Sequence, residues 1–420
     1  MRLAGRDINL AVTTLHRRYG PAFAFGVGPL HFVWLVGPEA ARFVTQEAAP
    51  HLGLGPAYRF LRPIVGDAAL ITSDEPEHLL RRRVVQPNFH KERLGEAFRV
   101  VEERLRALFV GLSRTDGPVD LYAALRPCVL GTICEVFLGA ETLRRNPELT
   151  GYVAQMMAFA NLPFALQELK LPLPGTPWAR FVRARRRSDR LLFDEIRRRR
   201  SGETEAAGVM SLLLAASDAG AGLSDEEVRD QALSLVSAGF ETTSAALTWA
   251  VYALLSHPEV LDRLRDEVAG LETVDFVTLN RLPYLERVVR ETLRLYPPAP
   301  AALRVASRDL TFQGLHIPKG QRVALSVYAT HRQAASYPDP LRFDPDRWLE
   351  GAPANAYLPF GSGARYCIGA GLATGVIKFG LALLLRGFEL SPAWTGPVQE
   401  AGNTLHPKGG LPVRLKAKSV

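Results

Sequence analysis

The chain has 420 residues, 47% of them hydrophobic, and Lys and Arg outnumber Asp and Glu by 51 to 43 for a net charge of +8. That composition supports a sizeable buried core. The three cysteines, Cys128, Cys134 and Cys367, form neither a disulfide framework nor a zinc spacing, which argues for a reducing cytoplasm. The amino-terminal MRLAGRDINL has no long apolar core and no small-residue cleavage site, so neither a signal peptide nor a membrane anchor is expected. No linker and no internal repeat divides the sequence. One domain over residues 1–420 is expected, mainly α with a minor β-sheet region.

In chain order, Pro21 to Gly37 alternates and turns at Gly28-Pro29, as a β-hairpin does, and Gly37-Pro38 opens a short helix. Tyr58 to Ile71 is apolar and punctuated, without a clean period. In EPEHLLRRRVVQPNF, His78 and Arg82 are four apart and share one helical face. By itself that pair reads equally as an exposed basic face. Lys91 to Leu112 and Leu149 to Asn161 have helical patterning. Cys128 and Cys134 lie in the apolar LRPCVLGTICEVFLGA, where small buried hydrophobes are expected. Asn161 to Trp178, with Pro163, Pro172, Pro174 and Pro177, reads as a loop of the kind that forms lids. Arg180 to Arg200 predicts an amphipathic helix with a solvated basic face. No nucleic-acid motif accompanies it, so no nucleic-acid partner is expected.

Ser224 and Glu227 form a capping box that opens a long helix carrying AGFETT, Ala238 to Thr243. Gln231 to Leu255 has few charges, but Glu241 and five hydroxyl residues suit a core helix beside a polar site better than a membrane span. Gly239 costs helix stability and needs a local reason. One is a packing notch with hydroxyl back-bonding. The other is room for a flat cofactor and a diatomic ligand, with the Thr242 hydroxyl directing a proton to that ligand and Glu241 relaying it from solvent. YLERVVRETLRLY repeats apolar residues at helical spacing and ends at Pro297, Pro298 and Pro300. Glu291 and Arg294, three apart, can pair. The strand-like pieces are LTFQGLHIPKG, QRVALSVYAT and PVRLKA.

FGSGARYCIG, Phe360 to Gly369, places Cys367 in a glycine-bracketed loop with Arg365 two residues earlier. Gly361, Gly363 and Gly369 permit a tight turn under a flat macrocycle. Backbone N–H groups can then point at the sulfur, and Arg365 offers a fork of donors to a carboxylate. A lone thiolate held this way suits one axial position on a haem iron.

The loop resembles the haem-ligand signature of the cytochrome P-450 superfamily, Phe-Gly-x-Gly-x-Arg-x-Cys-x-Gly, and meets every fixed position. AGFETT, ETLR (Glu291 to Arg294) and FDPDRW (Phe343 to Trp348) precede it in the family's order, and the resemblance runs from about Tyr19 to Leu415. It implies a soluble bacterial-type haem-thiolate monooxygenase, a single large helical domain with a small β-sheet region, using haem b (iron protoporphyrin IX) and O2. Cys367 would be the axial iron ligand, in a loop with Phe360, Gly361 and Gly369. Ala238 and Gly239 would lie against the haem, and Thr242 and Glu241 would manage protons. Arg365, Arg304, His78 and Arg82 would hold the propionates. Tyr58, Phe60, Ala238, Ala301, Leu303 and Thr404 would line the substrate pocket, and Glu291, Arg294 and Arg347 would form a structural network.

There is no complete Gly-x-Gly-x-x-Gly, since Tyr366 stands at the sixth position after Gly361 and Gly363. Electrons must therefore come from a separate protein, a ferredoxin or flavodoxin with its NAD(P)H-dependent reductase. Arg81, Arg82, Arg83, Lys91 and Arg93 would help dock it. The expected protein is a cytoplasmic monomer that hydroxylates or epoxidises a hydrophobic specialised metabolite (a terpenoid, polyketide or lipid-like compound). Desaturation or oxidative coupling on the same fold stays open. A haem gas sensor needs no proton relay, and the Glu241-Thr242 pair argues against it.

Overall fold

The computed structural model describes residues 8–28, 31–89, 91–162, 167, 169–203, 208–217 and 223–418, with backbone only at 91–93. Pro29 of the expected hairpin turn, Pro163 of the expected loop, and the side chains of Lys91 and Arg93 lie outside the described residues. The fold is mostly helical with small sheets. Two compact units emerge: Met1–Ala57 with Leu105–Leu125 and Thr242–Val420, and Tyr58–Arg104 with Arg126–Glu241. Three of the four divisions fall inside the helices Lys91–Ser113, Leu121–Leu138 and Asp225–Ser256, and the fourth, between Ala57 and Tyr58, falls in a turn.

The first unit is built on a five-stranded sheet. Its order is Ala22–Phe25, Phe32–Leu35, Arg322–Ser326, Ala301–Ala306 and Leu52–Gly53, antiparallel except for the parallel pair of Phe32–Leu35 with Arg322–Ser326. Successive side chains alternate between its faces. Val33, Leu35, Ala302, Val323 and Leu325 meet Ala40, Val44 and Phe312 on one side. On the other, Trp34, Ala324, Ala301 and Leu303 meet Val12 and Phe23. The stretch QRVALSVYAT is a strand only to Ser326. The Ser326 hydroxyl then accepts from the Ala329 amide and caps a short helix, Val327–Thr330.

Helix Ala370–Gly387 packs closely on the long helix Asp225–Ser256. A Cβ at Gly380 would stand 2.6 Å from Leu247 Cδ2, so only glycine allows this approach. Among the described residues, two helices, Leu121–Leu138 and Ala370–Gly387, are long and apolar enough to cross a membrane, but 56% and 72% of their positions are buried, the ordinary state of a core helix.

The second unit is helical. Thr176 caps the basic helix Pro177–Arg200 by accepting from the Ala179 amide at 3.2 Å, with Pro177 in the first turn. Phe159 of helix Leu149–Ala160 stacks on Phe181, with ring centroids 4.8 Å apart. Arg180, Arg183, Arg186, Arg187, Arg190, Arg197, Arg198 and Arg200 form the expected solvated face. Arg199 departs from it: its side chain is 5% exposed and bonds Glu195, Thr142 and the Leu138 carbonyl. Arg185 is also turned inward, donating to Pro63 and Ile64 carbonyls.

Candidate active site

Cys367 is exposed, three residues ahead of helix Ala370–Gly387. Its amide donates to the Phe360 carbonyl at 2.8 Å, closing the loop. Gly361 and Gly363 sit at φ +71° and +66°, in the left-handed region, and a Cβ at Gly363 would lie 2.7 Å from the Thr45 carbonyl oxygen. The loop is thus pressed onto the Phe43–Glu47 segment, and no other residue would fit at Gly363. The helix behind it has no acidic residue in its first turn and no side-chain cap, so its partial positive end remains for an anion such as a thiolate.

The other cysteines are unsuited to ligation. Burial pushes the Cys134 thiol up to about 12, and Cys128, half-buried, is raised for the same reason. Phe360 and Arg365 are half-buried beside the loop.

Arg304 is 7% exposed on strand Ala301–Ala306, and its Nη1 donates to the Leu303 carbonyl at 2.8 Å. The strand's regular pairing with Arg322–Ser326 places Ala301 and Leu303 on the face opposite Arg304. Both pack, half-buried, against the cluster of Val12, Phe23, Trp34 and Ala324. Ala302 shares Arg304's face and packs there against a second buried cluster, with Val33 and Val323. Thr404 is half-buried in the turn between strands Glu400–Ala401 and His406–Pro407. Its neighbour Leu405 is fixed by the Pro298 carbonyl at 2.9 Å and by the Trp249 indole at 3.0 Å.

From Gln231 to Val251 the long helix is buried at every position except Ala238, Gly239 and Thr242. These three fall on one helical face, the fourth residue above the first. They form an accessible window in a core helix, and a flat cofactor with a small ligand needs such a window. The Cβ that Gly239 lacks would point at Ile133 Cγ2 at 3.4 Å, an ordinary contact. Glycine is therefore not demanded there by helix packing, nor does it clear bulk from the window.

Glu241, 4% exposed, accepts from Arg126 and, at 3.3 Å, from the Asn161 amide. Neither partner was marked by a motif. Arg126 stands in the apolar helix Leu121–Leu138 and Asn161 just after helix Leu149–Ala160.

On helix Glu77–Val85, His78 is 2% exposed and its Nδ1 lies 2.9 Å from Glu75 Oε1, which sets the ring. Arg82 is half-buried and Arg83 exposed. Arg81, taken above for partner docking, instead bonds Glu227 at 2.8 Å and the Ser73 hydroxyl at 2.7 Å. Tyr58 is half-buried and Phe60 40% exposed, with rings 6.0 Å apart.

Glu291 and Arg294 are fully buried. Glu291 accepts from Arg294, from Arg347 Nε at 2.9 Å, from the Trp348 indole at 3.1 Å and from the Asp344 amide at 2.9 Å. Arg294 in turn donates to the carbonyls of His331, Pro340 and Arg342. His331, which no motif marks, links this cluster to the cysteine loop: Nδ1 bonds the Arg294 carbonyl at 2.9 Å, and Nε2 accepts from the Leu358 amide at 2.8 Å. Burial lowers its pKa to about 3, so the ring is neutral.

An exposed cysteine at a helix start, a glycine with no room for a Cβ, Arg365 in the same loop and an accessible stretch of a core helix fit a haem-thiolate enzyme. The Cytochrome P450 family model, written here P-450, matches residues 2–411. Cytochrome P-450 139 of Mycobacterium tuberculosis is 33% identical over 97% of both chains, and cytochrome P-450 137 of the same organism is 31% identical over 96% of this chain and 84% of its own. Among solved structures, the haem domain of cytochrome P450DA superposes with a TM-score of 0.86 at 27% identity, covering 99% of this chain and 94% of that one. Retinoic acid-bound cyanobacterial CYP120A1 superposes at 0.84 and 26%, covering 96% and 93%. The chain belongs to the cytochrome P-450 family. It is a monooxygenase whose cofactor is haem, using O2, a redox partner and a hydrophobic substrate.

Proposed function

We propose that this enzyme inserts one oxygen atom into a lipid-like, terpenoid or polyketide compound, with electrons from a ferredoxin or flavodoxin and its reductase, as a cytoplasmic monomer. The observation that carries the reading is the window of Ala238, Gly239 and Thr242, the only accessible positions from Gln231 to Val251. Its walls are apolar apart from one hydroxyl, so shape and apolar contact would position the substrate. One solved neighbour is bound to retinoic acid.

When bound to a thiolate, haem activates dioxygen for transfer of one oxygen atom. Cys367 supplies that thiolate, favoured by the helix end behind it. Arg365, Arg304, His78 and Arg82 take the cofactor's carboxylates, because buried carboxylates need charged or hydrogen-bonding partners. Glu75 orients His78 for this task. Thr242 holds a proton at its hydroxyl, at the edge of the window, and Glu241 resupplies it. Tyr58, Phe60, Ala238, Ala301, Leu303 and Thr404 contact the substrate. Arg83, exposed, receives the acidic partner.

Thr242→Ala tests the proton assignment. The variant would be run with an apolar metabolite chosen by a spectral binding screen and a surrogate ferredoxin pair. NADPH use should continue, with more hydrogen peroxide and less oxygenated product by mass spectrometry. Unchanged coupling would overturn the role given to Thr242.

A further inference from the structure

Between the proposed substrate wall at Tyr58 and Phe60 and the proposed cofactor helix at His78, the chain is irregular. Its one helical turn, Arg62–Val65, is too short to hold itself. Two other helices hold it. Arg185 of helix Pro177–Arg200 donates through Nη1 to the carbonyls of Pro63 and Ile64 at that turn's end, and is steadied by Asp189 at 2.8 Å. Such terminal carbonyls have no partner within their own helix. On the long helix, Asp230 accepts from the Ala68 amide at 3.0 Å, and Gln231 donates to the Ala68 carbonyl. Asp230 is 4% exposed and Gln231 fully buried. Gly66, at φ +91°, closes over the Asp230 carboxylate, and a Cβ there would lie 1.9 Å from it. Arg229 completes the cluster, with Nη1 3.1 Å from Asp230 and 3.4 Å from Asp189.

Buried polar groups are costly unless bonded, and plain apolar packing would fix a loop at less cost. What this arrangement adds is direction. Each bond lands on a backbone atom, so it fixes where the chain runs whatever side chains it carries. We propose that Arg185, Asp230 and Gln231 form a polar latch over residues 62–69 that sets the position of Tyr58 and Phe60 as a wall of the substrate site. They are positioning residues and touch no reacting atom. Because Arg185 rides on the helix that follows the 161–176 segment, a shift of that helix releases the wall as well. The proposal rests on the assignment of Tyr58 and Phe60 to the substrate site.

The test uses the haem-loaded protein with Arg185→Ala, Asp230→Ala and Asp230→Asn, the last keeping an acceptor for Ala68. Hydrogen exchange in peptides covering 62–69 should quicken in both alanine variants and stay near wild type in Asp230→Asn. The association and dissociation rates of 4-phenylimidazole, read from the Soret shift, should rise by about fivefold, the equivalent of one lost hydrogen bond. If Asp230→Ala does not fold, Gln231→Met, close in volume, carries the same expectation. Unchanged exchange overturns the latch. Faster exchange with unchanged probe rates, while Tyr58→Ala does alter them, overturns the positioning role and leaves the substrate-site reading standing. If Tyr58→Ala and the latch variants all leave the probe unaffected, the substrate-site reading fails and the latch's role falls with it.

Discussion

Glu241 stands at the motif position of a proton relay, yet its carboxylate is tied to Arg126 and Asn161. Arg126, with 37% of its side chain exposed, and Asn161, also exposed, both meet water. A tethered carboxylate delivers protons only from the place where its tether holds it. Arg126→Gln should therefore slow turnover by about tenfold, less than the ~10²–10⁴-fold of a group that itself transfers the proton, because Arg126 acts only through Glu241. The double variant with Glu241→Gln should be no slower than Glu241→Gln alone, because the two residues act as one unit. Additive losses in steady-state NADPH oxidation would contradict this. The motif made Glu241 legible in the sequence. Its partner was not, because Arg126 lies 115 residues away in an apolar helix and no spacing rule reaches that far.

At the scale of elements, two helical glycines that look alike in sequence do opposite work. Gly380 lets helix Ala370–Gly387 approach Leu247, whereas Gly239 faces Ile133 across ordinary van der Waals space. Gly380→Ala should cost about 1–3 kcal/mol through overpacking. Gly239→Ala should be neutral or stabilise by up to about 1 kcal/mol through helix propensity. Denaturant midpoints measured side by side decide the pair, and equal losses would refute the packing described.

His331 gives the same region a pH dependence. Its pKa is about 3 when folded and 6.5 in the reference state, so the stability it contributes is complete above 6.5 and is lost as pH falls toward 3. The slope approaches about 1.4 kcal/mol per pH unit. His331→Gln should flatten the fall in unfolding free energy between pH 6.5 and 5. An unchanged slope would mean that the ring is not held neutral against Leu358. Sequence periodicity drew the helices Lys91–Ser113, Leu149–Ala160, Pro177–Arg200 and Pro283–Leu295 closely, since their apolar faces are continuous, but drew none at Ile8–Tyr19, Gly208–Ala216 or Pro258–Ala269. It extended the strand through VYAT, because β-branched and aromatic residues there resemble a strand until Ser326 caps the next turn.

For the whole molecule, the net charge of +8 was a weak guide to partners. Arg185 and Arg199 serve the interior of one unit, and Arg81 bonds Glu227 and Ser73. Only the exposed arginines remain for an acidic partner, and a residue count cannot tell the two groups apart. The cysteine loop was legible because its chemistry allows few substitutions: Gly363 lies against a backbone carbonyl and Cys367 precedes a helix start. The central claim is that Cys367 alone ligates the haem iron. Its most direct test is the carbon monoxide difference spectrum of the reduced protein, in wild type and in Cys367→His, Cys128→Ser and Cys134→Ser. The strongly red-shifted Soret band of thiolate ligation should be present in wild type and both serine variants and absent in Cys367→His. Its persistence in Cys367→His, or its loss in either serine variant, would contradict the account.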